Sequence, residues 1–259
     1  MEEDYSGKRV DASKAIWYFA YGSNMRSSVM KGRGITPLSA QPVVVPSHIL
    51  CFDIFGIPYA EPAFASITEA PSDLAARGSQ AQAIPPVHGV AYLLTPGDYR
   101  RLVLSEGAGV GYNEISVRAK ILKSDSDQEE EILAYTLQAK YPWRPNRAPS
   151  ARYMGLIIDG ADEFSLPDSY KAYLESLPVY VPLRTYRSQL GAWCFLTFWR
   201  RAIRLLARLT KVSTNDKGHC PSWLGGVIVG VYRCMWGWHD HVHSVIWTRG
   251  DGLAFGPQC

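Results

Sequence analysis

Two features of this chain have the residue types and spacing to do chemistry, a carboxylate and a turn. The carboxylate is Glu106. Thr95-Pro96-Gly97-Asp98 predicts a helix start, with Thr as N-cap, Pro in the first turn and an acid three residues on, and Gly107 stops the helix. Glu106 therefore stands at a helix C-terminus, where the dipole opposes a negative charge. That suits a group that must take up a proton and give it back. The turn is Tyr21-Gly22-Ser23-Asn24-Met25, at the end of an aromatic run that reads as a buried strand. Gly22 and Ser23 break the run, and Asn24 reads as the N-cap of a short helix reaching about Met30. A strand that turns sharply into a helix aims unpaired backbone N–H groups one way. They form a cradle for a carboxylate or a developing oxyanion. Taken singly, such a turn is also ordinary punctuation, and such a glutamate is also a solvated surface acid. A third group, His239, His241 and His243, alternates; on a strand the three would share a face, in a geometry open to a metal.

The elements that must position these residues read as a mixture of strands and a few helices. Residues 40–55 predict two strands broken near Pro46, and 64–68 one more. Residues 69–86, rich in Ala, Ser, Gln and Pro, read as a surface loop, and 87–94 as a clear strand. Ile115, Val117, Ala119 and Ile121 alternate, and 131–137 returns after a polar turn, which makes a hairpin. After a Pro- and Arg-rich loop, 153–158 is apolar, and 166–177 predicts a helix with Tyr170, Tyr173, Leu174 and Leu177 inward. The fold class is α+β, mostly antiparallel.

Composition bounds the rest. The 259 residues, 47% of them hydrophobic, can bury a sizeable core in one large or two small domains. A net charge of +3 gives no argument for nucleic acid. Met-Glu-Glu-Asp at the start has no signal-peptide character, and no run of eighteen uncharged apolar residues suggests a membrane span, so a cytoplasmic setting is expected. Five cysteines, odd in number and without CxxC spacing, read as free thiols.

The turn Tyr21-Gly22-Ser23-Asn24-Met25 resembles the YGSN signature of the gamma-glutamylcyclotransferase family. Two more stretches resemble it in order. One is the helix ending Ser105-Glu106-Gly107 with Gly111-Tyr112 beyond; the other is Ala148-Pro149-Ser150-Ala151-Arg152-Tyr153 with Gly160-Ala161 and Leu166-Pro167 after it. The resemblance implies a small mixed β-barrel flanked by helices, in a catalytic domain over 15–183. It implies Glu106 as the catalytic proton carrier, with Tyr21, Gly22, Ser23, Asn24, Met25, Tyr112 and Tyr153 binding a small gamma-glutamyl substrate. It also implies a reaction that needs no metal and no cofactor: the substrate's own α-amine closes on its γ-carbonyl, releasing 5-oxoproline and an amine. Glutathione-specific relatives carry Leu where Asn24 stands, so the chain looks closer to the branch acting on gamma-glutamyl amino acids. Its long tail and aromatic-rich style resemble fungal members, including those of gliotoxin-type biosynthesis, where the substrate is a glutathione-derived adduct. Transfer of the gamma-glutamyl group on the same scaffold, or a non-catalytic binding module, would be the alternatives.

Residues 184–259 have no counterpart in the small members of that family. Residues 189–211 predict a helix with Arg200, Arg204 and Arg208 on one face, Lys211 close by, and Phe198, Trp199, Ala202, Leu205, Leu206 and Leu209 away from it. Like charges at i, i+4 repel, so the stripe favours an anion. A helix docked on the barrel with a solvated basic face, peripheral contact with a membrane through 190–211, and an anionic substrate all fit. Residues 223–238 form a second apolar run interrupted by glycines. Nothing in the sequence fixes the oligomeric state.

Overall fold

The computed structural model describes residues 15–71, 84–106, 111–122, 130–143, 146–213 and 221–252. Six strands form one sheet: β1 Ile16–Ala20, β2 Ser39–Ile57, β3 Glu61–Glu69, β4 Pro86–Leu94, β5 Tyr112–Ile121 and β6 Glu131–Ala139. Their order is β3-β2-β4-β1-β6-β5, and β5 also pairs back to β2 through Val43 with Ile121 and Val44 with Lys120. That last pairing closes β2, β4, β1, β6 and β5 into a barrel, with β3 as a flap on β2. All pairings are antiparallel except β1 with β6. Closure leaves those five strands without a free edge.

The two strands predicted over 40–55 are one. Strand β2 runs through Pro46, with its register shifting between Val45 and Ile49 against β4 and between Cys51 and Ile54 against β3. Pro46 is exposed at the first irregularity, where its missing N–H breaks no ladder bond. The bend lets the first half of β2 join the barrel and the second half carry β3. The β5–β6 hairpin forms as expected, with Ser116 opposite Tyr135. The core fills the barrel with Phe19, Val43, Val90, Leu94, Ala119 and Ala134, each fully buried.

Among the described residues the α-helices are α1 Ser27–Gly32, α2 Pro96–Ser105, α3 Ala151–Glu163, α4 Asp168–Ser176, α5 Tyr186–Ser213, α6 Ser222–Trp238 and α7 Ser244–Ile246. Thr95 caps α2, its Oγ1 accepting from the Asp98 N–H at 3.1 Å. Helix α3 holds the apolar run over 153–158, and its start is marked by Ser150, whose Oγ accepts from the Tyr153 N–H at 3.0 Å. It lies close on the Tyr21–Met25 turn, because Gly160 has no side chain. A Cβ there would stand 2.7 Å from Met25 Cβ and 2.8 Å from the Arg26 nitrogen. In α4, Tyr170 and Leu174 are buried, and Tyr173 and Leu177 pack against the same core.

The extension has a second core of Tyr59, Phe195, Met235 and Trp236, packed against Phe55, Ile57 and Trp143. Four barrel-side residues thus share it with α5 and α6, so the extension is bolted to the β2–β3 end. Trp236 donates its indole N–H to the Gly56 carbonyl at 3.1 Å. Around it, Arg147 stacks 4.8 Å above the Trp236 ring and bonds Asp240 at 3.1 Å and Asp251, to which Arg249 also bonds.

The three histidines do not share a face. Residues His239–His243 are a π-helical turn, in which His239 and His243 are buried and His241 is exposed. His239 Nδ1 is 2.8 Å from Asp240 Oδ1, and its Nε2 accepts from the Gly250 N–H at 3.2 Å. His243 Nε2 donates to the Gly191 carbonyl at 3.0 Å. His239, Asp240 and Asp251 do come together, but Arg147 and Arg249 already supply their carboxylates with positive charge. Cys194 and Cys234 are free thiols; Cys51 is disulfide-bonded, contrary to the all-thiol expectation, and Cys220 and Cys259 lie outside the described residues. Among the described residues no helix is long and apolar enough to cross a membrane.

Candidate active site

Glu106 is the C-cap of α2, its N–H bonding the Leu102 and Val103 carbonyls. The glycine stretch expected after it, 107–110, lies outside the described residues. The carboxylate is held by two groups, both on Oε1. Asn24 Nδ2 donates to it at 2.9 Å, and Arg33 Nη1 pairs with it. Among the described residues Oε2 has no partner. Arg33, just beyond α1, is a residue that the sequence reading passed over. It also bonds the Ser105 hydroxyl, so it grips the end of α2 at two points. Nothing local to 31–34 announces this role; the partner is seventy-three residues away.

Asn24 is not a helix cap. Residues Ser23–Met25 form a single 3-10 turn, and α1 starts later, behind Arg26, which makes no side-chain cap. The Asn24 side chain is buried and points into the barrel end, spanning Glu106 and the Tyr18 hydroxyl at 3.3 Å. Its Oδ1 has no partner among the described residues. A buried amide oxygen left so is costly unless something donates to it.

The other side of the turn faces Tyr153. Its oxygen accepts from the Ala65 N–H at 3.3 Å and from Ser23 through both backbone and hydroxyl. Gly22 admits this approach, since a Cβ there would lie 3.1 Å from the Tyr153 hydroxyl. Burial pushes the Tyr153 phenol up to about 12, offset in part by the Ala65 bond. Tyr112 is pushed well above the ordinary range, first by burial and then by the Glu106 charge; its hydroxyl lies 3.5 Å from the Ala65 carbonyl. Tyr21 is likewise raised by burial and donates to the Leu137 carbonyl. All three phenols stay protonated at neutral pH, and Tyr21 and Tyr112 aim theirs at backbone carbonyls.

Glu106, Tyr112, Tyr153, Tyr21, Gly22, Ser23 and Asn24 line one small recess of about 30 Å³, together with Tyr18 and Ala65. Met25 is not among them. It is fully buried in the core, its Cβ against α3 and its carbonyl accepting from the Tyr92 hydroxyl at 2.6 Å. The expectation that Met25 binds substrate is thereby corrected: it anchors the turn. Two larger cavities reach the same carboxylate. One, of about 270 Å³, is lined by Val103 and Leu137 as well as Asn113, Glu114 and Lys140. The other, of about 580 Å³, opens between Phe55, Phe64 and α6. Glu106 and Tyr112 line all three.

Comparison with known proteins identifies the family. Residues 86–174 match the model of the AIG2-like family, and residues 185–246 that of the AclK C-terminal domain. The chain is 53% identical to gamma-glutamyl cyclotransferase gliK of Aspergillus fumigatus over 93% of its length and 91% of the relative's. It is 37% identical to gamma-glutamyl cyclotransferase aclK of Aspergillus oryzae, over 96% of this chain and 94% of that one. A solved structure titled gamma-glutamyl cyclotransferase superposes with a TM-score of 0.51 at 21% identity, covering 69% of this chain and 98% of that one, which establishes a common fold. With a relative that close over nearly its whole length, and a barrel of the same kind, the chain belongs to the gamma-glutamyl cyclotransferase family.

Proposed function

We propose that this protein is a gamma-glutamyl cyclotransferase in which Glu106 carries the protons. The observation that supports this most directly is the state of that carboxylate: Oε1 is tied to Asn24 and Arg33, Oε2 has no partner among the described residues, and three cavities meet at it. A gamma-glutamyl group folded back at Glu106, one end in the recess and its body in the cavities beside it, brings its α-nitrogen to its γ-carbonyl carbon. Oε2 takes a proton from the α-ammonium, the nitrogen adds to the carbonyl, and the bond to the leaving nitrogen breaks as that nitrogen receives this proton and, through the same carboxylate, the second proton that the ring nitrogen sheds, so that it leaves as an ammonium. The products are 5-oxoproline and a free amine, with no oxidant, water or metal consumed. Intramolecular alignment of this kind contributes about 7–11 kcal/mol to lowering the barrier.

In this reading the Tyr153 and Tyr112 hydroxyls and the turn at Gly22, Ser23 and Asn24 hold the substrate carboxylate and the developing oxyanion, Tyr21 closes the recess, and the unpartnered Asn24 Oδ1 accepts from the ammonium. Residues 15–183 are the catalytic domain and 184–259 an extension. The substrate is a glutathione-derived adduct of fungal secondary metabolism, of the gliotoxin type, processed in the cytoplasm. The test is 5-oxoproline release from gamma-glutamyl dipeptides, glutathione and a glutathione S-conjugate by the wild type and by Glu106→Gln. Release by the wild type and a loss of at least a hundredfold in the variant are expected. Equal rates would remove Glu106 from the chemistry, and gamma-glutamyl transfer without 5-oxoproline would replace cyclisation.

One observation favours an added membrane contact through 190–211. Phe198, Leu205 and Leu209 of α5, expected to lie away from the basic face, are exposed by 66%, 59% and 44%, beside the exposed Arg200, Arg201, Arg204 and Arg208. The side chain of Lys211 lies outside the described residues. An apolar row edged by arginines is the composition of an interfacial helix. Flotation with phosphatidylserine-containing vesicles, absent with phosphatidylcholine alone, is the expected result. No flotation with either would leave α5 a docked helix.

A further inference from the structure

The large cavity at Glu106 is walled on one side by a helix from the extension. Ile228, Val229 and Tyr232 of α6 line it opposite Phe55, Phe64 and Leu156. These are successive positions on one face of α6, and a turn further on the same face delivers Met235 and Trp236, both fully buried, against β2. The Trp236 bond to Gly56 and the Tyr232 ring, 5.4 Å from Phe55, fix the face in place. The wall is therefore preformed. Phe64 continues it to the catalytic end, its ring 5.1 Å from that of Tyr153.

The lining is apolar where α6 contributes, and its charged members are already paired: Arg33 with Glu106, and Arg152 with Glu61 at 2.6 Å. A gamma-glutamyl group, held at the Glu106 end, leaves most of the 580 Å³ to whatever is attached to it. An amino acid leaving group would leave that surface wet. We infer that Ile228, Val229 and Tyr232 are specificity-determining residues, and that they select a leaving amine bearing a bulky apolar or aromatic substituent. The inference rests on the cyclotransferase reading for its kinetic readout, and on the cavity alone for its binding readout.

The experiment compares kcat/KM for gamma-glutamylalanine and S-benzylglutathione in the wild type, Val229→Trp, which fills the cavity, and Ile228→Ala, which opens it. Val227→Trp, on the exposed side of the same helix, controls for bulk on α6. The wild type is expected to prefer S-benzylglutathione by tenfold or more, and Val229→Trp and Ile228→Ala each to lower that preference at least tenfold, because one methylene in an apolar pocket changes selectivity by about 10–200-fold. Val227→Trp keeps the wild-type ratio. Parallel loss on both substrates, or an unchanged ratio in both cavity variants, would overturn the inference. If no protein releases 5-oxoproline, the cyclotransferase reading falls. The wall is then judged by calorimetric binding of S-benzylglutathione to Glu106→Gln with and without Val229→Trp. A Kd at least tenfold weaker with the tryptophan supports the wall, and equal values refute it.

Discussion

Replacing Tyr153 by Phe deletes one oxygen from the site and nothing from its shape. That oxygen accepts from the Ala65 N–H at 3.3 Å and from Ser23, in a side chain only 7% exposed. The ring itself keeps its edge contact with Phe64 and its place on α3. The Ala65 N–H and both Ser23 donors then lose a partner, and a buried unsatisfied donor costs about 1–3 kcal/mol. Ser23 borders the recess and regains water in part, so the expected loss in urea unfolding is about 1–2 kcal/mol. The activity should fall further. If the hydroxyl and the Ser23 backbone are donors to the oxyanion or to the substrate carboxylate, kcat/KM for 5-oxoproline release drops about 10²–10³-fold. The two effects are separable by pH. A phenol held at about 12 keeps its proton across pH 6–9, so the loss of rate is flat over that range. In stability the sign is set by a folded pKa above the ordinary 10.0. Tyr153's own contribution is full below pH 10 and falls by about 2–3 kcal/mol as pH rises from 10 to 12, so the wild type should lose that much more than the Phe variant, both sharing the losses of the other buried tyrosines. A variant with full activity but lowered stability would make Tyr153 a structural residue and refute the reasoning. A rate loss that grows between pH 6 and 9 would refute the protonated donor.

Other expectations follow from the packing. Gly160→Ala places a methyl within 2.7 Å of Met25 Cβ, so α3 or the turn must move; a loss of about 1–3 kcal/mol in denaturant unfolding, with an activity loss out of proportion, is expected. Trp236→Ala removes the fully buried anchor of α6 and should cost about 3–5 kcal/mol by the same assay. A cost under 1 kcal/mol would mean that the second core contributes little. His48, His88 and His243 are each held below the ordinary 6.5 by burial. Each stays neutral when folded and charges when unfolded, so stability is intact above pH 6.5 and declines as pH falls below it, measurable as a falling Tm between pH 6.5 and 5.

Much of the site was legible because it is local. The strand-to-turn change at Gly22 and the cap-to-stop frame of α2 place Tyr21, Ser23 and Glu106 by propensity and by the 3.6-residue period, which operate within a few residues. The β5–β6 hairpin and helices α4 and α5 were readable for the same reason. The Ser150 cap was a signal for α3 as well, since Ser sits three residues before Tyr153, but the Pro-rich approach hides it.

Local pattern could not decide what depends on closure. Whether Asn24 caps a helix or reaches Glu106 depends on where α2 lies after the barrel forms, and its amide finds the stronger, charged acceptor there. Met25 and Ser23 have the same sequence setting, yet α3 buries the one and leaves the other at the recess. Arg33 finds Glu106 and α6 finds the cavity across long stretches of chain. The histidines alternate in sequence, but the alternation has meaning only on a strand, and the apolar run preceding them is long enough to be a helix that carries them into a π turn. The sequence by itself determined the carboxylate's place at the end of α2, the turn after β1 and the α+β character. The tertiary structure alone decided which groups hold that carboxylate and what walls its cavity, because those contacts are set by packing between elements with no sequence periodicity in common.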